Sequence, residues 1–349
     1  MSLLASRMEG ENRARLTMLQ LVCAVSVWRT AMTRVLPLCG TATWWVTLIC
    51  LLPAFAVAVL LRLSMHLTRT STLTEAVRAC LGKSGGWAIS LVLAVLLLVE
   101  GLSGVTALIT LFTEGVGTRG TAFTLSLLTG GALLLALHRE GLLRGVHFLR
   151  WPLTAAAVIV AACLMPEARL DHLFPIHGEG DAAVLSALKT GVSLAWPVTL
   201  LLTVPPAKQG RLRSALLPAS AAVGALLVLS MILPQELLAD TMGLARLLLL
   251  PTKYAPNALR VLYLCLLMAG IFLSIAASVQ LGTEHLCAPL KQSPGWLPHV
   301  LLIVLILTQA GDTTRLWRWI EMLQLWLLVP LALLALVCLP MAALRRRKS

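Results

Sequence analysis

Apolar runs of about 20 residues recur along almost the whole chain, and this feature decides what it can fold into. A run of that length, at helical rise, crosses the hydrocarbon core of a bilayer. Within lipid every backbone N–H and C=O must be satisfied by the protein itself, so Leu-, Val- and Ala-rich runs of this kind must be helices. A β-barrel would need short segments of alternating polarity, which are absent. The expected spans are residues 16–37, 43–62, 86–112, 119–137, 147–165, 183–204, 213–233, 257–280, 296–310 and 321–343. The fold class is therefore all-α, a polytopic membrane protein with about ten transmembrane helices. Residues 1–15 form a polar tail, 16–343 a single transmembrane domain and 344–349 a basic tail. The start, MSLLASRMEGENRAR, is polar and charged, and no small-residue cleavage site follows the first apolar run, so no cleavable signal peptide is expected.

Only 12% of the residues are charged, about half the usual share, and their distribution sets the topology. With the N-terminus inside, the inner segments hold Arg7, Arg13, Arg15, Arg62, Arg69, Arg78, Lys83, Arg139, Arg144, Arg150, Lys208, Arg211, Arg213, Lys291, Arg345, Arg346, Arg347 and Lys348. The outer segments hold Arg119, Arg169, Arg246, Lys253, Arg260, Arg315 and Arg318. The bias follows the positive-inside rule and leaves both termini cytoplasmic. The basic tail then reads as an anchor on anionic lipid. The net charge of +13 lies in short loops rather than in a basic domain, and no aromatic stacking platform accompanies it, which excludes nucleic acid as a partner. Trp44, Trp45, Trp87, Trp317 and Trp319 fall at span ends and fit an interfacial aromatic belt.

The eight cysteines form no disulfide framework and no CxxC or Cys/His cluster. Cys23, Cys50, Cys163, Cys265 and Cys338 lie within apolar runs and read as small buried hydrophobes; Cys80 and Cys287 fall in loops placed inside. There is no phosphate-binding Gly-rich loop and no HExxH pair. Neither a catalytic cluster nor a metal or cofactor site is implied, so an enzyme is not expected.

Ionisable side chains at membrane depth cost several kcal/mol unless paired or hydrated. Arg29 and Arg34 in the first span, Glu100 in the third and Lys189 in the sixth are the four. Arg29 and Glu100 fall near the midplane and are expected to pair across the bundle interior or to flank a polar cavity. Arg34 and Lys189 lie in outer half-spans, where snorkelling to the interface is expected. The first span also carries Ser26, Trp28, Thr30 and Thr33. The sixth carries Gly191, Ser193, Trp196 and Pro197, whose proline breaks a helix near the midplane. The eighth offers Gly270, Ser274 and Ser278. Close packing of helices by small residues accounts equally well for these clusters. The outer loop 234–256 contains an apolar run from Leu244 to Pro251, suited to a short interfacial helix.

Residues 173–180, Leu-Phe-Pro-Ile-His-Gly-Glu-Gly, lie between the fifth and sixth spans. They resemble the LFPxxGxG loop of the spore germination permease family, the B subunits of germinant receptors. Gly40 and Trp44 resemble that family's Gly-x-Asp-x-Trp segment after its first helix, with Ala42 in place of the Asp. Thr72-Leu73-Thr74-Glu75 and Leu81-Gly82-Lys83 resemble its TLxE…LGK loop. Gly141-Leu142 stands where the family has Gly-Leu-Glu. The matches occur in order over about two-thirds of the chain and fade after the seventh span.

The resemblance implies a fold similar to amino acid/polyamine/organocation transporters, with inverted five-helix repeats over about 16–165 and 183–343 around a central site. It implies a nutrient sensor in the spore inner membrane, acting with A-type and C-type receptor subunits on a small ligand such as an amino acid. The alternative is a secondary transporter of amino acids or related cations, with Glu100 as a proton or cation site. The expected lining is Trp28, Arg29, Thr30, Glu100, Ser193, Trp196 and Ser274, with Arg29 taking a carboxylate and Glu100 an amine.

Overall fold

The computed structural model of the chain describes residues 2–70, 72–115, 165–191, 211–232, 257–290 and 295–307, with scattered positions between 130 and 163 and between 319 and 344. All the regular structure among the described residues is helical. Helices α1 (Ser2–Thr30), α2 (Leu36–Cys39), α3 (Thr43–Thr68), α4 (Leu73–Gly115), α5 (Asp181–Gly191), α6 (Arg211–Ile232), α7 (Asn257–Cys287) and α8 (Leu297–Leu307) follow in chain order. Among the described residues three stretches, Leu16–Thr68, Leu73–Leu108 and Met268–Leu290, are long and apolar enough to cross a membrane.

The distribution of side chains is compatible with an apolar surrounding. On α3, Leu48, Ile49, Leu52, Val59 and Leu63 are exposed, while Thr43 and Thr47 are buried beside Val46, Cys50 and Leu51. A water-soluble helix would expose a polar stripe instead. Buried polar groups recur on the inner faces of α1 (Ser26, Arg29, Thr30), α4 (Ser90, Glu100, Ser103, Thr106) and α7 (Ser274, Ser278, Thr283). Lipid cannot hydrogen-bond such groups, so they turn toward other helices.

Two cores knit these faces together. One joins Met18, Leu19, Val22 and Val35 near or on α1 to Val46, Leu51, Leu61 and Met65 of α3, Leu93 and Leu97 of α4, and Ala276 and Leu281 of α7. The other joins Val25, Ala31, Met32 and Leu36 to Val105 and Leu108 of α4, Leu226 of α6, and Ile271, Ile275 and Val279 of α7. The segment from Leu16 to Leu36 is thus central, walled by α4, α6 and α7.

Several boundaries differ from those read in the sequence. Helix α1 extends back to Ser2, so the expected polar tail 1–15 is helical from there, while the apolar stretch begins at Leu16. The expected first span is not uniform: a π-helical turn occupies Ala31–Val35. The loop 63–85 is largely helical, because α3 runs to Thr68 and α4 begins at Leu73 behind a capping box. In that box the Glu75 N–H donates to Thr72 Oγ1 at 3.2 Å and the Thr72 N–H to Glu75 Oε2 at 3.3 Å. Cys80 and Cys287 consequently lie on helices and are buried, not in loops. The fourth expected span, except Gly130, and the run Leu244–Pro251 lie outside the described residues, as does the tail 345–349.

Candidate functional site

The sequence puts Arg29 and Glu100 at similar depth on neighbouring helices, and in the structure they meet. Arg29 Nη2 donates to Glu100 Oε1 at 2.7 Å and to Oε2 at 2.8 Å. Each residue is 2% exposed, so the pair lies in a medium of low dielectric, where its attraction is strong and its desolvation costly. The Ser26 hydroxyl, one turn before Arg29, gives the carboxylate a further hydrogen bond, and Arg34 lies within electrostatic reach of it.

Arginine brings five N–H donors in a rigid fork, and here one nitrogen serves both carboxylate oxygens. Arg29 Nη1 is buried with no partner among the described residues, and so is Trp28 Nε1. Both are donors only. The Ser278 hydroxyl on α7 is likewise buried without a partner among the described residues. Trp28 and Arg29 are consecutive at the end of α1, and each leaves a buried donor without an acceptor among the described residues.

Backbone geometry puts these donors at an irregular point. Directly after Thr30, five residues take the π form, closed by a Leu36 N–H donating to the Ala31 carbonyl. Such bulges widen the turn and are frequent at functional sites. Thr33 Oγ1 donates to the Arg29 carbonyl at 2.9 Å and so satisfies an acceptor there. Across from it, Gly104 lets α4 and α7 approach closely. A Cβ built on Gly104 would lie 2.6 Å from Ile275 Cγ1 and 3.6 Å from Arg29 Nη1. The glycine is therefore needed for the close approach of Ile275, while the guanidinium lies at ordinary contact distance.

The outer loop is built onto the junction that follows α1. Helix α2 ends at Gly40 (φ 52°, ψ −119°), and a 3-10 turn leads into α3. Thr41 Oγ1 donates to the Pro175 carbonyl at 2.8 Å, and Trp45 Nε1 to that of Ile176 at 2.9 Å. Gly178 has φ 54°, and a Cβ there would collide with the Cys39 carbonyl. The other end of the loop is held on α6, where the Arg169 N–H donates to the Met231 carbonyl at 2.8 Å and His172 Nδ1 lies 3.1 Å from the same oxygen. The segments around Gly40 and around Leu173–Gly180, remote in sequence, thus dock on each other.

Of the expected lining, Arg29 and Glu100 are in contact, and Thr30 is buried beside them on α1. Trp28 packs against the core shared with Ile275 and Val105. Ser274 is buried on α7 next in sequence to Ile275. Ser193 and Trp196, with Pro197, lie outside the described residues. Lys189 is exposed on α5, whereas Arg34 is 7% exposed and does not snorkel out; it lies within electrostatic reach of the Glu100 carboxylate. Gly104 and Ile275 were not legible as site residues, although Gly104 stands one helical turn after Glu100 and so shares its face. Among the described residues no group of three or more His, Cys, Asp or Glu could hold a metal ion. No protein-family profile and no curated protein sequence matches this chain.

Proposed function

We propose that the chain is a ten-span membrane protein of the germinant-receptor B type, sensing a small nutrient in a cavity beside Arg29. Both termini face the cytoplasm, and five-helix halves of about 16–165 and 183–343 surround the site. It is not an enzyme. It works with A-type and C-type subunits in the spore inner membrane or an equivalent bacterial membrane. The observation that carries the reading is Arg29 Nη1, a buried donor beside the Glu100 pair with no partner among the described residues, with Trp28 Nε1 a second such donor on the preceding residue. They suit a carboxylate, and a small amino acid supplies one. Its ammonium group competes with Arg29 Nη2 for the lone pairs of Glu100.

Supporting this is the docking of the loop 173–180 on Gly40–Trp45, two of the segments that resemble the family. Ligand arriving from the loop side would favour one arrangement of α1 against α4 and α7, and its differential affinity for the two arrangements would pass to the partner subunits. A panel of free amino acids tested for thermal stabilisation of the purified protein examines the reading directly. A member that stabilises the parent and not Arg29→Ala supports it; no stabilisation by any member discards it.

A second reading, secondary transport, is favoured by Glu100 itself, a carboxylate buried among helices whose protonation could be coupled to movement. Proteoliposomes separate the two: a transporter concentrates radiolabelled substrate under an ion gradient, while a sensor binds without flux.

A further inference from the structure

At Gly82 the backbone takes φ 81° and ψ −169°, and α4 bends there. On a straight helix residues eight apart are separated by about 12 Å. Across this bend a Cβ built on Gly86 would lie 2.9 Å from the Cβ of Arg78. The first segment of α4 therefore folds back on the second, with the Arg78 stem resting in the space a side chain at 86 would fill.

The corner forms one wall of an open cleft of about 760 Å³, lined by Thr74, Arg78, Lys83, Ser84, Gly86 and Trp87, with the 3-10 turn after α7 opposite. Among the described residues the lining holds two cations, the Thr74 and Ser84 hydroxyls and no carboxylate; the Ser90 hydroxyl, also in the lining, donates to the His285 carbonyl at 2.6 Å. Glu75, the closest acid in sequence, is turned to the Thr72 cap. Among the described residues neither Arg78 nor Lys83 is in an ion pair. A guanidinium fork, an ammonium and hydroxyl donors in one concavity suit the tetrahedral oxygens of a phosphate. Trp87, 52% exposed at the start of the apolar part of α4, suits the headgroup level of a bilayer.

We propose that this cleft binds a phosphate group, presented by an anionic phospholipid headgroup or by a soluble phosphate. The proposal rests on the membrane reading and is independent of whether the chain senses or transports. The full-length protein, purified and delipidated in neutral detergent, is titrated with phosphatidylglycerol or with inorganic phosphate while its unfolding temperature is followed. Apparent affinity should fall about thirty-fold in Arg78→Gln/Lys83→Gln, and stay within about twofold in Arg62→Gln/Arg69→Gln, which removes equal charge from the same end outside the cleft. Lys83→Gln alone should lose about fivefold and serves if the double variant expresses poorly. A cleft-dependent response to phosphatidylglycerol alone identifies the lipid as the source; one to inorganic phosphate identifies a soluble ligand. Equal losses in the two double variants, or no response to either probe, would overturn the proposal.

Discussion

Arg29 and Glu100 are joined through a single nitrogen: Nη2 lies 2.7 Å from Oε1 and 2.8 Å from Oε2, while Nη1 has no partner among the described residues. A side-on bidentate pair would have consumed both nitrogens. The geometry found here neutralises the carboxylate and still leaves donor capacity, which is what a binding site needs and a purely structural bridge does not. The pair links the central first segment to α4, so its energetics bear on the fold as well.

Removing either partner strands the other in a low-dielectric interior. Arg29→Met or Glu100→Leu alone is expected to destabilise the protein by about 3–5 kcal/mol, while the double substitution costs far less, because no charge is then left unpaired. Thermal unfolding in detergent across the four proteins closes the cycle and gives the coupling energy. Additive losses would show that the two side chains do not depend on each other.

Gly104 is predicted to be intolerant for a different reason. A Cβ there meets Ile275 Cγ1 at 2.6 Å, and α4 and α7 share both cores. Gly104→Ala should cost about 1–3 kcal/mol through overpacking. Adding Ile275→Ala removes the obstructing atom and should recover part of that loss. Failure of the second change to compensate would mean that the contact with Ile275 is not the source of the loss.

Much of this was legible beforehand because a bilayer permits so few solutions. Long apolar runs had to be helices, and charges at 29 and 100 had to find a partner. What was not legible depends on backbone detail. The π turn at Ala31–Val35 inserts itself into a run, AMTRV, with no composition that marks it. Arg34 lies buried within electrostatic reach of Glu100 across a helix interface, and a single-helix depth argument for snorkelling does not include that neighbour. Gly104 reads as an ordinary small residue until Ile275 is set against it. Loop 63–85 looked polar enough to be irregular, yet the Thr72–Glu75 capping box that begins α4 was written in it.

The loop 173–180 should detach when its contacts with the α2–α3 junction are cut. Gly178→Ala adds a side chain at φ 54° and drives it against the Cys39 carbonyl, so both the conformation and the docking suffer. Gly180, with φ 107°, has open space around its Cβ position, so alanine there strains only the backbone. Thr41→Val removes one hydrogen bond, worth about 1 kcal/mol. Hydrogen exchange of the loop amides should therefore accelerate most in Gly178→Ala and less in Thr41→Val and Gly180→Ala. Equal rates in all three would mean that the loop is not held by this junction.

Topology gives the last test, because the Arg29 cavity and the basic cleft are proposed to open on opposite faces. Glu179 is exposed on the loop after the fifth expected span, and Ser84 is exposed beside the Gly82 bend. In a cysteine-free background Glu179→Cys should react with a membrane-impermeant maleimide on intact cells, and Ser84→Cys only after permeabilisation. The physical ground is the excess of Arg and Lys on the Ser84 side, where moving those charges outward across the membrane opposes insertion. Labelling of both positions from outside would remove the barrier between them, and with it the membrane on which the apolar exterior of α3 depends. Reversed labelling would keep the fold but turn the nutrient site toward the cytoplasm, where a sensor of external supply would be useless.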